Sequence, residues 1–389
     1  MGSPVLGKGV SIVGAALSDI GTPGIAGVSS AYELAAQASL RALSDAGLSL
    51  VDVDALFCTG LGVDSTLEFA DYLGLDELSY ADSTAVGGAS WVTYVEHASA
   101  AIEAGLCNTA LLAHGSTAFT DRKRPTDVWG DPRSPLHQFD LVYGNDFMVA
   151  YALAAQRYLW QFGLGMDALA PVAVSTRAWA ALNPLACNQS PLTVDEVLNS
   201  PMVASPLHLL ECCLISDGGG AIVITRLDRA ADTRAPVRVL GMGSSQMHLS
   251  IAQMSDLTRS PANRSGARAY AAAALSPKEV DPVMLYDSFS ITPIMALEDL
   301  GFCERGEAPA FVESGHTAPG GDLPMNTNGG GLSFAHTGMY GVFTLIEAVT
   351  QLRGEAGRRQ VPRCEVALSH GVGEFLSATG TVLLAAGLT

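Results

Sequence analysis

Charge is scarce in this 389-residue chain, and positive charge scarcer still: charged residues make up 15%, with 39 acids against 21 bases and a net charge of −18. A chain so short of cations lacks the basic footprint that nucleic acid or an anionic membrane surface requires. Phosphate-bearing small molecules stay open, because they need only a few local cations or backbone amides. Cysteine is thin as well. The seven are scattered, odd in number and without a CxxC pair, which argues against a disulfide framework and against a zinc knuckle in this chain, and fits a reducing, cytoplasmic setting. No apolar run is long enough to span a bilayer; the opening GVSIVGAAL follows a single lysine and reads as a buried strand. Nor is there a P-loop, a complete dinucleotide fingerprint (GLGVD and GMGSS are fragments) or a GxSxG elbow, so nucleotide-cofactor and α/β-hydrolase chemistry find no support.

What is abundant is apolar: 48% of residues are hydrophobic, enough for a large core, and the length calls for two units or a duplicated one. The sequence favours duplication. VSIVGA from Val10 resembles VRVLGM from Val237, and DVDALFCTG from Asp52 resembles EVDPVMLYD from Glu279; Val10 to Val237 and Val53 to Val280 share one offset, 227. An alanine-rich helical run follows each member of the first pair, one in each half, and each half goes on to a long amphipathic helix leading into an apolar strand that ends in His-Gly, His114 and His370. Repeated strand–helix alternation predicts two parallel-type sheets with helices between and outside them. The halves are bounded as 1–117 with 211–234, and 235–389. An insert over 118–210, rich in Pro, Trp, Asp and Asn, is of the size that covers a ligand.

In the second half, NTNGGGLSFAHTGMYG places His336 and Tyr340 on a glycine-built platform just before the long helix. Glycines 329–331 allow close backbone approach and positive φ, and a helix N-terminus stabilises developing negative charge. Adjacent Cys212 and Cys213, in an apolar context before a strand, read as core. The basic cluster of the insert, Arg122, Lys123 and Arg124, is the candidate for anionic phosphates.

Four segments, in order, LLECCLISDGGGAIVI, LYDSFSITPIMALEDLGFCERGE, LPMNTNGGGLSFAHTGMYG and LSHGVGEFLSATGTVLL, resemble the thiolase superfamily in its sterol-carrier-protein-type, thiolase-like branch, over the whole chain. The resemblance implies an α/β, five-layered αβαβα thiolase fold of two duplicated halves plus the inserted loop domain, a homodimer, and a coenzyme A thioester as ligand. It also exposes departures. The position matching the nucleophilic cysteine is Thr84, the second cysteine falls on Ser369, and the Asn-Glu-Ala-Phe loop reads YDSF, with Tyr286 in place of asparagine. His336 keeps the histidine of the GHP motif.

Two tyrosines in the YD and GMYG motifs, Tyr286 and Tyr340, match those of thiolase-like aldolases that shorten steroid side chains; those carry a histidine where this chain has Ser288. The resemblance thus implies cysteine-independent retro-aldol cleavage of a β-hydroxyacyl-coenzyme A. In that expectation Tyr286 and Tyr340 move protons, and His336 with backbone amides at Thr84 and Gly371 holds the enolate oxygen. Asp287, Ser288, Ser369 and His370 are auxiliary. No cofactor or metal is expected in the chain. Two alternatives stay open, an acyltransferase with an atypical nucleophile such as Cys58 or Cys303, and a non-catalytic acyl-coenzyme A-binding scaffold. The resemblance further implies a small zinc-containing OB-fold partner in an α2β2 assembly, with no membrane insertion.

Overall fold

The computed structural model describes residues 9–22, 30–121, 133–230 and 233–387. Its strands are β1 (Val10–Leu17), β2 (Ala55–Phe57), β3 (Tyr80–Asp82), β4 (Thr109–Ser116), β5 (Met202–Ala204), β6 (Leu207–His208), β7 (Gly218–Arg226), β8 (Val237–Gln246), β9 (Val283–Leu285), β10 (Val366–Gly373) and β11 (Ala378–Ala386). Nine of them form a ladder in the order β3-β2-β4-β7-β1-β8-β11-β10-β9, while β5 and β6 pair separately inside the insert. The order is mirror-like about the β1–β8 junction: β2-β4-β7-β1 on one side, β9-β10-β11-β8 on the other.

The sheets are mixed rather than parallel-type. β2 runs parallel to β3 and β4, and β9 parallel to β10, but β7 is antiparallel to β4 and β1, and β11 to β10 and β8. The cause is visible at β10–β11. Only four residues, 374–377, join these strands, and a connection that short can close only an antiparallel hairpin, since a parallel crossover needs a dozen residues or more. The two half-sheets also join, through an antiparallel pairing of Ser11 with Arg238 and Ile12 with Val237.

Helix placement makes the layers. Helix Ala31–Ala46 packs on β1, β4 and β7, and Ala262–Ala273 on β8 and β11, as the two outer layers. Ser90–Glu103 and Gly341–Leu352 pack on each other and on strands of both halves, as the middle layer. Eleven of the twelve residues of Gly341–Leu352 are buried, the polar Thr344, Glu347 and Gln351 among them, and each of these three is hydrogen-bonded.

The duplication is repeated in the packing. A Cβ on Gly14 would strike the Ala42 carbonyl and the Ala46 methyl; one on Gly241 would strike the Ala269 carbonyl and Ala273. All three pairs, 14/241, 42/269 and 46/273, keep the offset of 227. Each outer helix therefore lies on its strand through glycine–alanine contacts closer than a larger residue would allow. Within the insert, helix Phe147–Phe162 starts at Asp146, whose side chain accepts from the Val149 amide, and ends at left-handed Gly163. Among the described residues no helix is long and apolar enough to cross a membrane.

Candidate active site

The middle helices begin at the same place. Ala89 caps Ser90–Glu103 and Tyr340 caps Gly341–Leu352, and the starts touch so closely that a Cβ on Gly341 would collide with the Gly88 carbonyl. Two sets of N-terminal amides therefore converge beside one cavity of about 470 Å³.

Tyr286 follows β9 and is anchored by its amide, which donates to the His370 carbonyl at 3.1 Å. Its phenol oxygen lies 3.0 Å from His336 Nε2 and accepts from the Tyr340 amide at 3.3 Å. The Gly338 amide donates to His336 Nδ1 at 3.3 Å, so in the neutral ring Nε2 carries the hydrogen and donates to Tyr286. With two donors on its oxygen, the Tyr286 hydroxyl proton is left for the cavity. Burial depresses the His336 pKa to about 4 and keeps it neutral. Burial pushes Tyr286 well above 10, against the opposing pull of the Tyr340 amide.

The loop carrying these groups is a tight piece of backbone. Gly329 and Gly330 have φ of 106° and 59°, and a Cβ on Gly330 would enter the Asp287 carboxylate. That carboxylate accepts from the Gly331 amide at 2.6 Å and the Leu332 amide at 3.3 Å; burial raises its pKa to about 7 despite these bonds. Asp287 thus shapes the loop from behind the cavity wall. Tyr340 is brought edge-to-face with Tyr286, ring centroids 5.7 Å apart, but its hydroxyl donates to Asn328 Oδ1 at 2.9 Å and does not line the cavity.

Other predicted residues fall as follows. Ser288 lines the cavity and bonds Thr292 Oγ1 at 3.1 Å. Thr84 does not line it: its amide and hydroxyl are both 2.7 Å from Asp82 Oδ1, so the first-half backbone on the cavity comes from Gly87 and Gly88 instead. The Thr84 amide, spent on Asp82, has no hydrogen to offer an enolate. Gly371 lies in β10 behind Gly88 and Ala89. Ser369 is buried against Thr344 Oγ1 at 2.8 Å, and His370 against Thr381 Oγ1 at 2.9 Å; neither lines the cavity. Arg122, Lys123 and Arg124 lie outside the described residues.

Cys213 was placed in the core by the sequence, yet it lines the cavity. Burial, with Cys212 and Asp287 nearby, pushes its thiol pKa far up, the reverse of what a nucleophilic cysteine needs. Cys58 and Cys303 are pushed up to about 12 and stand away from the cavity. The sequence also missed His114, Tyr151 and Glu374 as wall residues. His114 Nε2 pairs with Thr337 Oγ1 at 2.8 Å, tying the first half to the His336 loop. Glu374 was legible in principle, as the lone acid of the closing apolar block. Among the described residues no group of three or more His, Cys, Asp or Glu forms a metal-ligand cluster.

Fold and site define a thiolase-like enzyme whose reactive corner is phenol and imidazole. A family model described as thiolase C-terminal domain-like matches residues 243–386. An acetyl-CoA acetyltransferase of Methanothermobacter thermautotrophicus is 33% identical over 356 residues, covering 88% of this chain and 91% of that one. A 17-hydroxy-3-oxo-4-pregnene-20-carboxyl-CoA lyase of Mycobacterium tuberculosis is 33% identical over 342 residues, covering 84% and 87%. Among solved structures, the Ltp2-ChsH2(DUF35) aldolase superposes with a TM-score of 0.89 at 29% identity, covering 98% of both chains. The chain belongs to the thiolase superfamily, in its sterol-carrier-protein-type, thiolase-like branch.

Proposed function

We propose that this chain is a carbon–carbon lyase that cleaves a β-hydroxyacyl-coenzyme A by retro-aldol chemistry, giving a ketone or aldehyde and a shorter acyl-coenzyme A. The observation that carries this reading is the Tyr286 phenol on the cavity wall, held by His336 Nε2 and the Tyr340 amide, in a cavity whose cysteine thiol is kept protonated. A lyase and an aldolase among the similar proteins support it.

Cleavage breaks the Cα–Cβ bond, and the electron pair moves into the thioester as an enolate. Negative charge gathering on the thioester oxygen is stabilised by amides aimed at it beforehand, and Gly87 and Gly88, at the first-half helix start on the cavity wall, supply them. Tyr286 then returns a proton to Cα. A phenol held well above pH 10 is protonated at neutrality and suits that donation. No covalent acyl-enzyme is required.

The similar aldolase pairs Ltp2 with a DUF35 protein, ChsH2, which supports an OB-fold, zinc-containing acyl-coenzyme A-binding partner for this chain, with a homodimer core in an α2β2 assembly. The free cysteines support a cytoplasmic setting. An acetyl-CoA acetyltransferase among the similar proteins and a cysteine on the cavity wall favour the acyltransferase reading. Free coenzyme A separates the two. Incubated with a panel of β-hydroxyacyl-coenzyme A thioesters, the protein should release ketone or aldehyde without added coenzyme A; turnover only when free coenzyme A and a β-ketoacyl thioester are supplied would replace the lyase with a thiolase.

A further inference from the structure

Retro-aldol cleavage also needs a base for the β-hydroxyl proton, and the groups assigned so far do not suit it. Burial keeps both tyrosines protonated at neutral pH, and the acceptor nitrogen of His336 is engaged by the Gly338 amide. His114 is turned to Thr337. Asp287 is held from behind the wall by two amides, and Asp121 accepts from Thr117.

Glu374 differs. It is the first residue of the β10–β11 turn and stands on the cavity wall, half-buried. Among the described residues no side chain or amide pairs with its carboxylate, and no lysine or arginine lines the cavity. Its φ of 53° lies in the left-handed region, uncommon for a residue with a long side chain. The surroundings hold it there. The Tyr151 hydroxyl donates to its carbonyl at 2.8 Å, and Gly87 fits so closely that a Cβ would press on the Glu374 amide and Oε1. Next to it, Phe375 stacks on Phe147, centroids 4.8 Å apart. Strain that its neighbours over-determine is a mark of a functional position, and burial raises this carboxyl toward the range of a working base.

We propose that Glu374 is the catalytic base of the site, its carboxylate taking the proton of the substrate β-hydroxyl; this rests on the retro-aldol reading. The O–H pair becomes the new carbonyl π bond, the Cα–Cβ pair becomes the enolate, and Tyr286 protonates Cα. Glu374 ends protonated and Tyr286 deprotonated, and one proton passing through solvent from the first to the second restores both.

The test compares wild type with Glu374→Gln in two assays, cleavage of whichever β-hydroxyacyl-coenzyme A the wild type turns over, and exchange of the α-protons of acetyl-coenzyme A in D2O. Exchange runs on the small fraction of Tyr286 that has lost its proton to solvent and takes the α-proton back, and it needs no base for a β-hydroxyl. Cleavage should fall roughly 10²- to 10⁴-fold in the variant, while exchange stays within about threefold, which also reports an intact site. A wild type that cleaves and a variant that matches it would overturn the proposal alone. Parallel loss of cleavage and exchange would overturn it too, since the site and not a base would have been removed. A wild type that cleaves nothing in the panel would instead overturn the retro-aldol reading, and this proposal with it.

Discussion

Tyr286 carries two donors on its oxygen, from His336 and from the Tyr340 amide, and this decides what each nearby substitution should do. Tyr286→Phe removes the proton but keeps the ring, so cleavage should fall by roughly 10²- to 10⁴-fold with the thermal transition little changed. Tyr340→Phe keeps the amide and loses the bond to Asn328, so its rate should drop less, by about tenfold or more. Wild-type rates in both variants would remove the tyrosines from the account. The buried histidines give a separate prediction. His114, His336 and His370 have pKa values lowered by burial to about 3, 4 and 3, below the unfolded value of about 6.5. Each therefore stabilises the fold fully above that value, and the contribution is lost as pH falls toward 4, at up to about 1.4 kcal/mol per pH unit per group. Asp287, raised to about 7, works in the opposite sense over the same window, so the informative quantity is a difference between proteins. His370→Gln, away from the cavity, should flatten the dependence of the urea midpoint between pH 7 and 5 by about one group; an unchanged slope would mean that His370 is not held neutral.

At the scale of elements, the site exists because two helices start at one point with no side chain between them. Gly88 is the sharpest case. A Cβ there would overlap the Tyr286 ring, so Gly88→Ala should cost about 1–3 kcal/mol of stability and move the phenol off His336. Cleavage should be lost while the far-ultraviolet circular dichroism stays that of wild type; retained activity would show that the Gly88–Tyr286 contact is not needed. The elements were largely legible beforehand, because the 227-residue offset and the paired amphipathic helices are patterns of period and spacing. The mixed sheet was not, since strand direction depends on connection length, and the four-residue β10–β11 turn was hidden in one apolar block. Placement on the wall was legible for Tyr286, Ser288 and His336, which motifs marked. It was not for Thr84, Ser369 and Cys213, because motif alignment sets a residue near a helix start or strand end without fixing which way the side chain faces. A shift of one residue in a strand reverses the face: Val372 lines the cavity while Ser369, three residues earlier, faces Thr344.

For the whole molecule, the low charge and the high apolar fraction agree with a protein that buries surface against others. If the partner proposal holds, the purified chain should be dimeric and weakly active, and co-expression with a DUF35-type protein should raise its activity; full activity and stability of the isolated dimer would show that no partner is needed. The assembled fold places a protonated phenol, a neutral imidazole and converging amides around one cavity, and keeps its wall thiol protonated. Such a site should break a carbon–carbon bond without an acyl-enzyme. The most direct measurement is mass-spectrometric product analysis of the protein with β-hydroxyacyl-coenzyme A thioesters, free coenzyme A withheld, together with the intact mass of the protein during turnover. The account predicts a ketone or aldehyde and a shorter acyl-coenzyme A in equal amounts, with no mass added to the chain. An acyl group on Cys213 or any other residue, or cleavage that begins only when free coenzyme A is added, would contradict it.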